Sequence, residues 1–76
     1  MSRHVFHVFP AGGHWEVTQQ HRDDVLASFE SRSQAITWAM ELAKGTTMGQ
    51  LRIYRRDHSL VEEFTFGEEP AFFEFG

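Results

Sequence analysis

One segment of this chain, residues 32–44, has the sequence features of an α-helix, and it limits the folds that the rest can form. Ser31 and Gln34 are spaced as a capping box, in which each side chain binds a free backbone N–H at the start of a helix. Gly45 is the residue type that commonly ends a helix in the left-handed conformation. Apolar residues recur at helical spacing between these ends and predict a core stripe of Ile36, Ala39, Leu42 and Ala43, bordered by Ala35, Trp38 and Met40.

The segments on either side of this helix have the alternation, or the β-branched and aromatic content, of strands. Pro10 is expected to stop the first strand, because proline cannot donate to a strand ladder. We predict five strands, at about 4–10, 15–20, 25–29, 51–56 and 60–66. One helix covers only one face of a sheet, so the predicted fold is a small two-layer α+β domain with a mostly antiparallel sheet and the order β-β-β-α-β-β. The pattern leaves the order of the strands within the sheet open.

The chain has 76 residues, enough for one domain with a small core, and it contains no cysteine. Disulfide bonds, thiolate zinc sites and thiol catalysis are therefore excluded. No basic, apolar leader is visible, and the apolar stretch from Ala35 to Ala43 is too short and too polar to cross a bilayer. We expect a cytoplasmic protein with no membrane contact. We expect one domain over residues 1–70, followed by an acidic-aromatic C-terminal tail over residues 71–76.

Three strings of the sequence carry a resemblance to a known family: HVFPAGGHWEV, SRSQAITWAMELAK and RRDHSLVEEFTFGEEP. In their order and spacing they resemble a family of short bacterial proteins catalogued as domain of unknown function two-one-eight-eight. The resemblance covers about residues 4–70 and implies the fold, but it implies no chemistry. This chain departs from the family pattern at His58, where the family has a turn glycine, at Phe66, where it has tyrosine, and over residues 72–75.

The histidines and serines form neither a metal-binding nor a catalytic pattern. His4 and His7 lie three residues apart on a predicted strand, so they point to opposite faces. The other three histidines fall in predicted turns: His14, His21 and His58. No serine lies in a Gly-x-Ser-x-Gly elbow, and Ser31 is already explained as a helix cap. We therefore predict no enzyme activity, no metal site and no cofactor.

The predicted strand 51–56 places Arg52, Tyr54 and Arg56 on one sheet face. Guanidinium groups beside an aromatic ring can follow phosphates and stack bases. The net charge of −4 argues against this function, because nucleic-acid-binding domains usually have a basic surface. The arginines can instead pair across strands with Glu62 and Glu63. Weak nucleic-acid binding through this basic-aromatic face is therefore the alternative function.

The end of the sequence is acidic and aromatic. Five of the 11 acidic residues and five of the eight phenylalanines lie beyond Val61, and no basic residue follows Arg56. Phe72, Phe73 and Phe75 could cover the bare sheet face, pack on a twin subunit, or dock into a partner's groove. The leading prediction is a small non-catalytic protein-interaction module that self-associates, for example as a homodimer. Its candidate binding residues are these phenylalanines and the basic-aromatic face.

Overall fold

The computed structural model describes residues 3–67, which form a five-stranded sheet with one helix packed on one face. The elements in chain order are β1 (His4–Ala11), β2 (His14–Gln19), β3 (Val25–Phe29), α1 (Arg32–Lys44), β4 (Gly49–Tyr54) and β5 (Leu60–Thr65). The predicted α+β class and the β-β-β-α-β-β order are confirmed. The predicted tail and its boundary at residue 70 lie outside the described residues.

The sheet has the strand order β3-β2-β1-β4-β5, which places the first strand of the chain at its centre. β1 pairs antiparallel with β2 and parallel with β4, and the two remaining pairs are antiparallel. The parallel pair arises because α1 crosses over the sheet between β3 and β4. The meander β1-β2-β3 therefore forms one part of the sheet, and the hairpin β4-β5 completes it.

The core lies between α1 and the sheet. Its buried sheet residues are Phe6, Val8, Trp15, Val17, Leu51 and Ile53. The helix contributes Ala35, Ala39 and Ala43, which are fully buried at a spacing of four residues. The predicted stripe is therefore displaced, because Ile36 and Leu42 are only half-buried and pack beside this alanine seam. Small side chains along the seam let the helix backbone approach the sheet closely.

α1 spans residues 32–44, as predicted, and the Ser31 half of the predicted capping box is present. The hydroxyl oxygen of Ser31 accepts a hydrogen bond of 3.1 Å from the backbone N–H of Gln34. Gly45 has φ −82° and ψ −1°, which is right-handed, so the predicted left-handed end at this residue is wrong. The hydroxyl of Thr46 donates to the carbonyl of Leu42 at 2.7 Å. This bond satisfies a terminal carbonyl without a left-handed glycine.

β1 runs past Pro10 to Ala11, so the predicted stop at Pro10 is also wrong. The N–H of Gln20 donates to the carbonyl of Val5 at 2.8 Å. The backbone polar groups of successive residues in a strand point alternately to its two neighbours, and those of Val5 point to β2. The nitrogen of Pro10, five residues further on, therefore points towards the β4 side. The pairing of β1 with β4 ends at Val8, so the missing N–H of Pro10 interrupts no ladder bond.

β4 ends at Tyr54, two residues before the predicted end of this strand. The next residues form a tight turn, in which the N–H of Arg55 donates to the carbonyl of Ser59 at 2.9 Å. The N–H of His58 donates to the carbonyl of Arg55 at 2.8 Å. The strand prediction to Arg56 is therefore wrong, because this residue lies in the turn between β4 and β5.

Candidate functional site

We call the sheet face opposite α1 the open face. Along β1, strand alternation places Val5, His7 and Phe9 on this face, because Phe6 and Val8 point into the core. On the neighbouring β4, Arg52 pairs in register with His7. Because β1 and β4 are adjacent, their outward side chains form one continuous surface at the middle of the sheet.

His7 and Tyr54 are in contact across this surface. Nδ1 of His7 lies 3.0 Å from the phenol oxygen of Tyr54, and the ring centroids are 5.7 Å apart. Burial lowers the pKa of His7 below its ordinary value of 6.5, and the positive charge of Arg52 lowers it further. A hydrogen bond with the Gln20 side chain raises the pKa and so opposes both effects. The imidazole is therefore held in its neutral form near neutral pH.

A groove of about 280 Å³ runs beside this contact. This open-face groove is lined by His7, Phe9, Thr18, Tyr54 and His58. His58 reaches it from the turn between β4 and β5, where its backbone has φ 69°. Only glycine adopts this conformation without steric cost. The volume is near the lower end of the range for ligand pockets, so the groove suits a single aromatic group better than a large cofactor.

The guanidinium group of Arg52 on the open face is already paired. Nε of Arg52 lies 2.7 Å from a carboxylate oxygen of Glu63 on β5, and the two residues are directly opposite in register. The cross-strand ion pair predicted for Arg52 is therefore confirmed. Both side chains are more than a third exposed, so this pair contributes little to stability. The carboxylate offsets part of the guanidinium charge beside Tyr54.

The two outer strands of the described sheet differ in charge. β3 has the sequence VLASF and carries no charged residue, and its Val25 is 44% exposed. β5 carries Glu62 and Glu63, both exposed. Charged side chains discourage pairing with another chain, whereas an uncharged outer strand presents its free N–H and C=O groups as a template. β3 is therefore the sheet edge that is open to pairing.

A second groove, of about 460 Å³, lies between β3 and α1. This edge groove is lined by Phe29, Ser33, Gln34, Thr37, Trp38 and Glu41. The ring centroids of Phe29 and Trp38 are 6.0 Å apart, and Trp38 is 40% exposed. Tryptophan at a surface is characteristic of the residues that dominate binding at protein interfaces. An exposed tryptophan packed on Phe29 and an uncharged strand edge thus lie side by side.

Within residues 3–67, no three His, Asp or Glu side chains lie close enough together to hold a metal ion. His14 is the first residue of β2 rather than a turn residue, and its Nε2 lies 2.9 Å from a carboxylate oxygen of Glu16. This pair supplies two ligand atoms at most. The helix in the same part of the chain is not long and apolar enough to cross a membrane.

The comparisons with known proteins identify a family. The sequence model of a family described as "uncharacterized protein conserved in bacteria" (DUF2188) matches residues 6–66. The chain belongs to this family. The DUF2188 match extends from within β1 to just beyond β5, so it includes every residue that lines either groove. A search of curated proteins and a search of solved structures found no match. The description of the family states no activity, so a function has to be argued from the surfaces.

The structure brings together only part of the site predicted for this DUF2188 protein. Arg52 and Tyr54 lie on the open face, whereas Arg56 lies in the adjoining turn. The phenylalanines of the predicted site lie outside the described residues: Phe72, Phe73 and Phe75. Sequence reasoning missed His7 and Phe9. The alternation in HVFHVFP places both on one face, but only the pairing of β1 with β4 brings them beside Tyr54.

Proposed function

We propose that this protein is a small, non-catalytic protein-interaction module that self-associates through β3. The observation that carries the proposal is an uncharged outer strand beside the exposed ring of Trp38. No polar or charged side chain is buried within residues 3–67. This part of the chain therefore lacks the strongly desolvated acid, base or nucleophile that catalysis commonly uses. We place its action in the cytoplasm, with which the absence of cysteine agrees.

A second copy of the chain is the partner that this edge fits. Two copies of β3 can pair antiparallel about a two-fold axis perpendicular to the sheet, which makes one continuous sheet of both. Such an axis leaves the two copies of α1 on the same side of that sheet. The two edge grooves then lie next to each other, and each Trp38 ring gains cover from water.

The charges at the opposite edge favour a closed dimer over a longer assembly. Glu62 and Glu63 on β5 would meet like charges if two β5 strands paired. Each copy therefore offers a single edge suited to pairing. One self-complementary edge per chain gives a two-fold dimer, whereas two such edges would give an open fibre.

The test compares the same substitution at the two edges. Val25→Lys places a charge on β3, and Leu60→Lys places one on β5, where Leu60 is 50% exposed. Sedimentation equilibrium over a range of concentrations should show a dimer for the wild-type chain and for Leu60→Lys, and a monomer for Val25→Lys. A wild-type chain that stays monomeric, or two variants that weaken the dimer equally, would reject the proposal.

A second candidate function is weak binding of single-stranded nucleic acid on the open face. The observation that favours it is the placement of Phe9 and Tyr54 in one groove on adjacent central strands, which resembles a platform for stacked bases. The pairing of Arg52 with Glu63 counts against it, because Glu63 competes with a phosphate for the guanidinium group.

This second candidate is tested by fluorescence anisotropy of labelled single-stranded DNA and RNA at low and at moderate salt. Binding should weaken as salt rises, should be lost in Tyr54→Ala, and should persist in Gln50→Ala, which changes the open face outside the groove. Arg52→Ala and Arg56→Ala report whether either guanidinium contacts phosphate. Flat titrations at both salt concentrations would reject nucleic-acid binding.

A further inference from the structure

We propose that the open-face groove binds residues 68–76 of the same chain, so that this acidic-aromatic segment covers part of the sheet face that α1 leaves bare. The segment begins beside the start of β4, and the open-face groove lies at the other end of this strand. Arg55 and Arg56 lie just beyond that end. The proposal does not depend on pairing through β3, which is at the opposite side of the sheet from β5.

The segment begins beside the start of β4. The N–H of Phe66 donates to the carbonyl of Gly49 at 2.8 Å, and a guanidinium nitrogen of Arg3 donates to the carbonyl of Phe66 at 3.2 Å. A Cβ on Gly67 would lie 2.7 Å from the backbone nitrogen of Met48. These contacts hold the end of the described chain at the sheet end where β1 and β4 both start.

The length of the segment matches the distance to the groove. Tyr54 is five residues along β4 from Gly49, which is about 17 Å at the rise of an extended strand. Phe72 is the fifth residue after Gly67, so an extended chain carries it about the same distance. Phe73 follows directly. If the segment runs back along the sheet, its two adjacent phenylalanines therefore reach the level of Tyr54.

The groove has the chemistry to hold a phenylalanine ring. Phe9 and Tyr54 supply two aromatic rings, which pack favourably against a third in edge-to-face or offset geometry. His7 is neutral near neutral pH because burial and the charge of Arg52 lower its pKa, so a neighbouring apolar ring does not have to desolvate a charge. A volume of about 280 Å³ accepts one or two side chains of this size.

Both parts carry a net negative charge, so overall charge does not draw the segment to the domain. Residues 68–76 contain three of the 11 acidic residues and none of the seven basic ones. Residues 3–67 therefore contain eight acidic and seven basic residues, a net charge of −1 against −3 for the segment. The basic groups needed to attract the segment must thus be concentrated locally rather than spread over the domain.

The turn between β4 and β5 provides that local concentration. Arg55 and Arg56 are exposed in it, and neither takes part in an ion pair within the described part of the chain. The carboxylate of Asp57 in the same turn accepts hydrogen bonds from the N–H and hydroxyl of Ser59, at 3.0 and 2.6 Å. Glu74, two residues beyond Phe72, would therefore come near two guanidinium groups that lie past the end of β4.

The absence of cysteine allows a direct test on the full-length chain. Ala71→Cys provides one attachment point for a nitroxide spin label, which broadens the NMR signals of nearby nuclei. We expect the amide signals of Phe9, Thr18 and Tyr54 to lose intensity when the label is oxidised and to regain it on reduction. The indole signal of Trp38, on the α1 side of the sheet, serves as the more distant reference and should lose clearly less intensity.

Two controls separate docking within one chain from docking on a second copy and from contact that does not use the phenylalanines. The double variant Phe72→Ala/Phe73→Ala leaves the described domain unchanged and should abolish the selective broadening. A mixture of ¹⁵N-labelled chain without the nitroxide and unlabelled chain with it should show no broadening of the groove signals. Broadening in this mixture would place the segment on a second copy and overturn the proposal.

Broadening that is absent, or equal at Trp38 and in the groove, would overturn it as well. A single-stranded oligonucleotide gives one more test, because a covered groove should bind it less well than an open one. Equal shifts of the groove signals in the wild-type chain and in the double variant would also overturn the proposal. These outcomes are independent of the Val25→Lys experiment, which reports only on β3.

Discussion

The strongest test of the described core is the removal of one side chain from its centre. Leu51 is fully buried, and on the helix-facing side of the sheet it stands between Phe6 of β1 and Phe64 of β5. Leu51→Ala removes three carbon groups, which at about 0.8 kcal/mol each is roughly 2.4 kcal/mol of lost burial. The cavity left between two strands adds to this cost, so we expect a loss of about 3 kcal/mol in the free energy of unfolding.

That loss is large for a domain of this size. A chain of 76 residues has a free energy of unfolding of about 4–11 kcal/mol, so the substitution removes between a quarter and most of it. With an unfolding entropy of about 2.1 cal/mol/K per residue, 3 kcal/mol corresponds to a fall in Tm of roughly 15–20 °C. Thermal unfolding followed by circular dichroism measures this shift directly.

The matched control is Leu60→Ala, the same change at a leucine that is 50% exposed on β5. About half of its side chain is already in water and no closed cavity forms, so we expect a cost of about 1 kcal/mol. The measured costs of Leu51→Ala and Leu60→Ala should therefore differ by about 2 kcal/mol. A difference below about 1 kcal/mol would show that the sheet face covered by α1 is wrongly assigned.

Two further predictions concern glycine and histidine. Gly49→Ala should be strongly destabilising in urea unfolding, because the new Cβ would lie 3.1 Å from the carbonyl carbon of Ala43 and closer still to its oxygen. Gly45→Ala should instead be neutral or stabilising by about 0.4–1 kcal/mol. Gly45 has a right-handed backbone conformation, and the nearest atom to its new Cβ would be 3.5 Å away. Equal effects would contradict the described end of α1. Folding lowers the pKa of His7, so protonation of this residue favours the unfolded chain. The contribution of His7 to stability is therefore fully present above pH 6.5. It is lost as the pH falls from 6.5 through the folded-state pKa. The pH dependence of urea unfolding below 6.5 should therefore be shallower in His7→Asn than in the wild-type chain, and identical slopes would contradict the burial of His7.

The helix could be predicted from sequence because its signals are local. Ser31 and Gln34 are three residues apart, so the hydrogen bond from the Gln34 N–H to the Ser31 hydroxyl needs no distant part of the chain. The backbone conformation after the correctly predicted end of α1 depended on contacts that propensity does not describe. Gly45 stays right-handed, and Met48 takes the left-handed conformation with φ 57° before Gly49 passes close under the helix.

The strands show the same division between local and distant information. Alternation, or β-branched and aromatic content, located all five, and alternation also places His7 and Phe9 on one face. It could not identify the strand next to β1, because pairing between distant strands leaves no local pattern. The open-face groove depends on that pairing: Tyr54 is 47 residues from His7 in sequence, yet their side chains are in contact.

The central position of β1 also affects how the chain can be synthesised. β1 precedes the other four described strands in the chain, but His4 pairs with Gly49, which lies 45 residues later. A nascent chain that has reached only the end of α1 therefore leaves one side of β1 without its neighbouring strand, and the apolar surface intended for β4 stays in water. Such an incomplete product resembles the species that aggregate and that chaperones and proteases remove. A chain that stops short of Gly49–Tyr54 therefore cannot complete the sheet around β1.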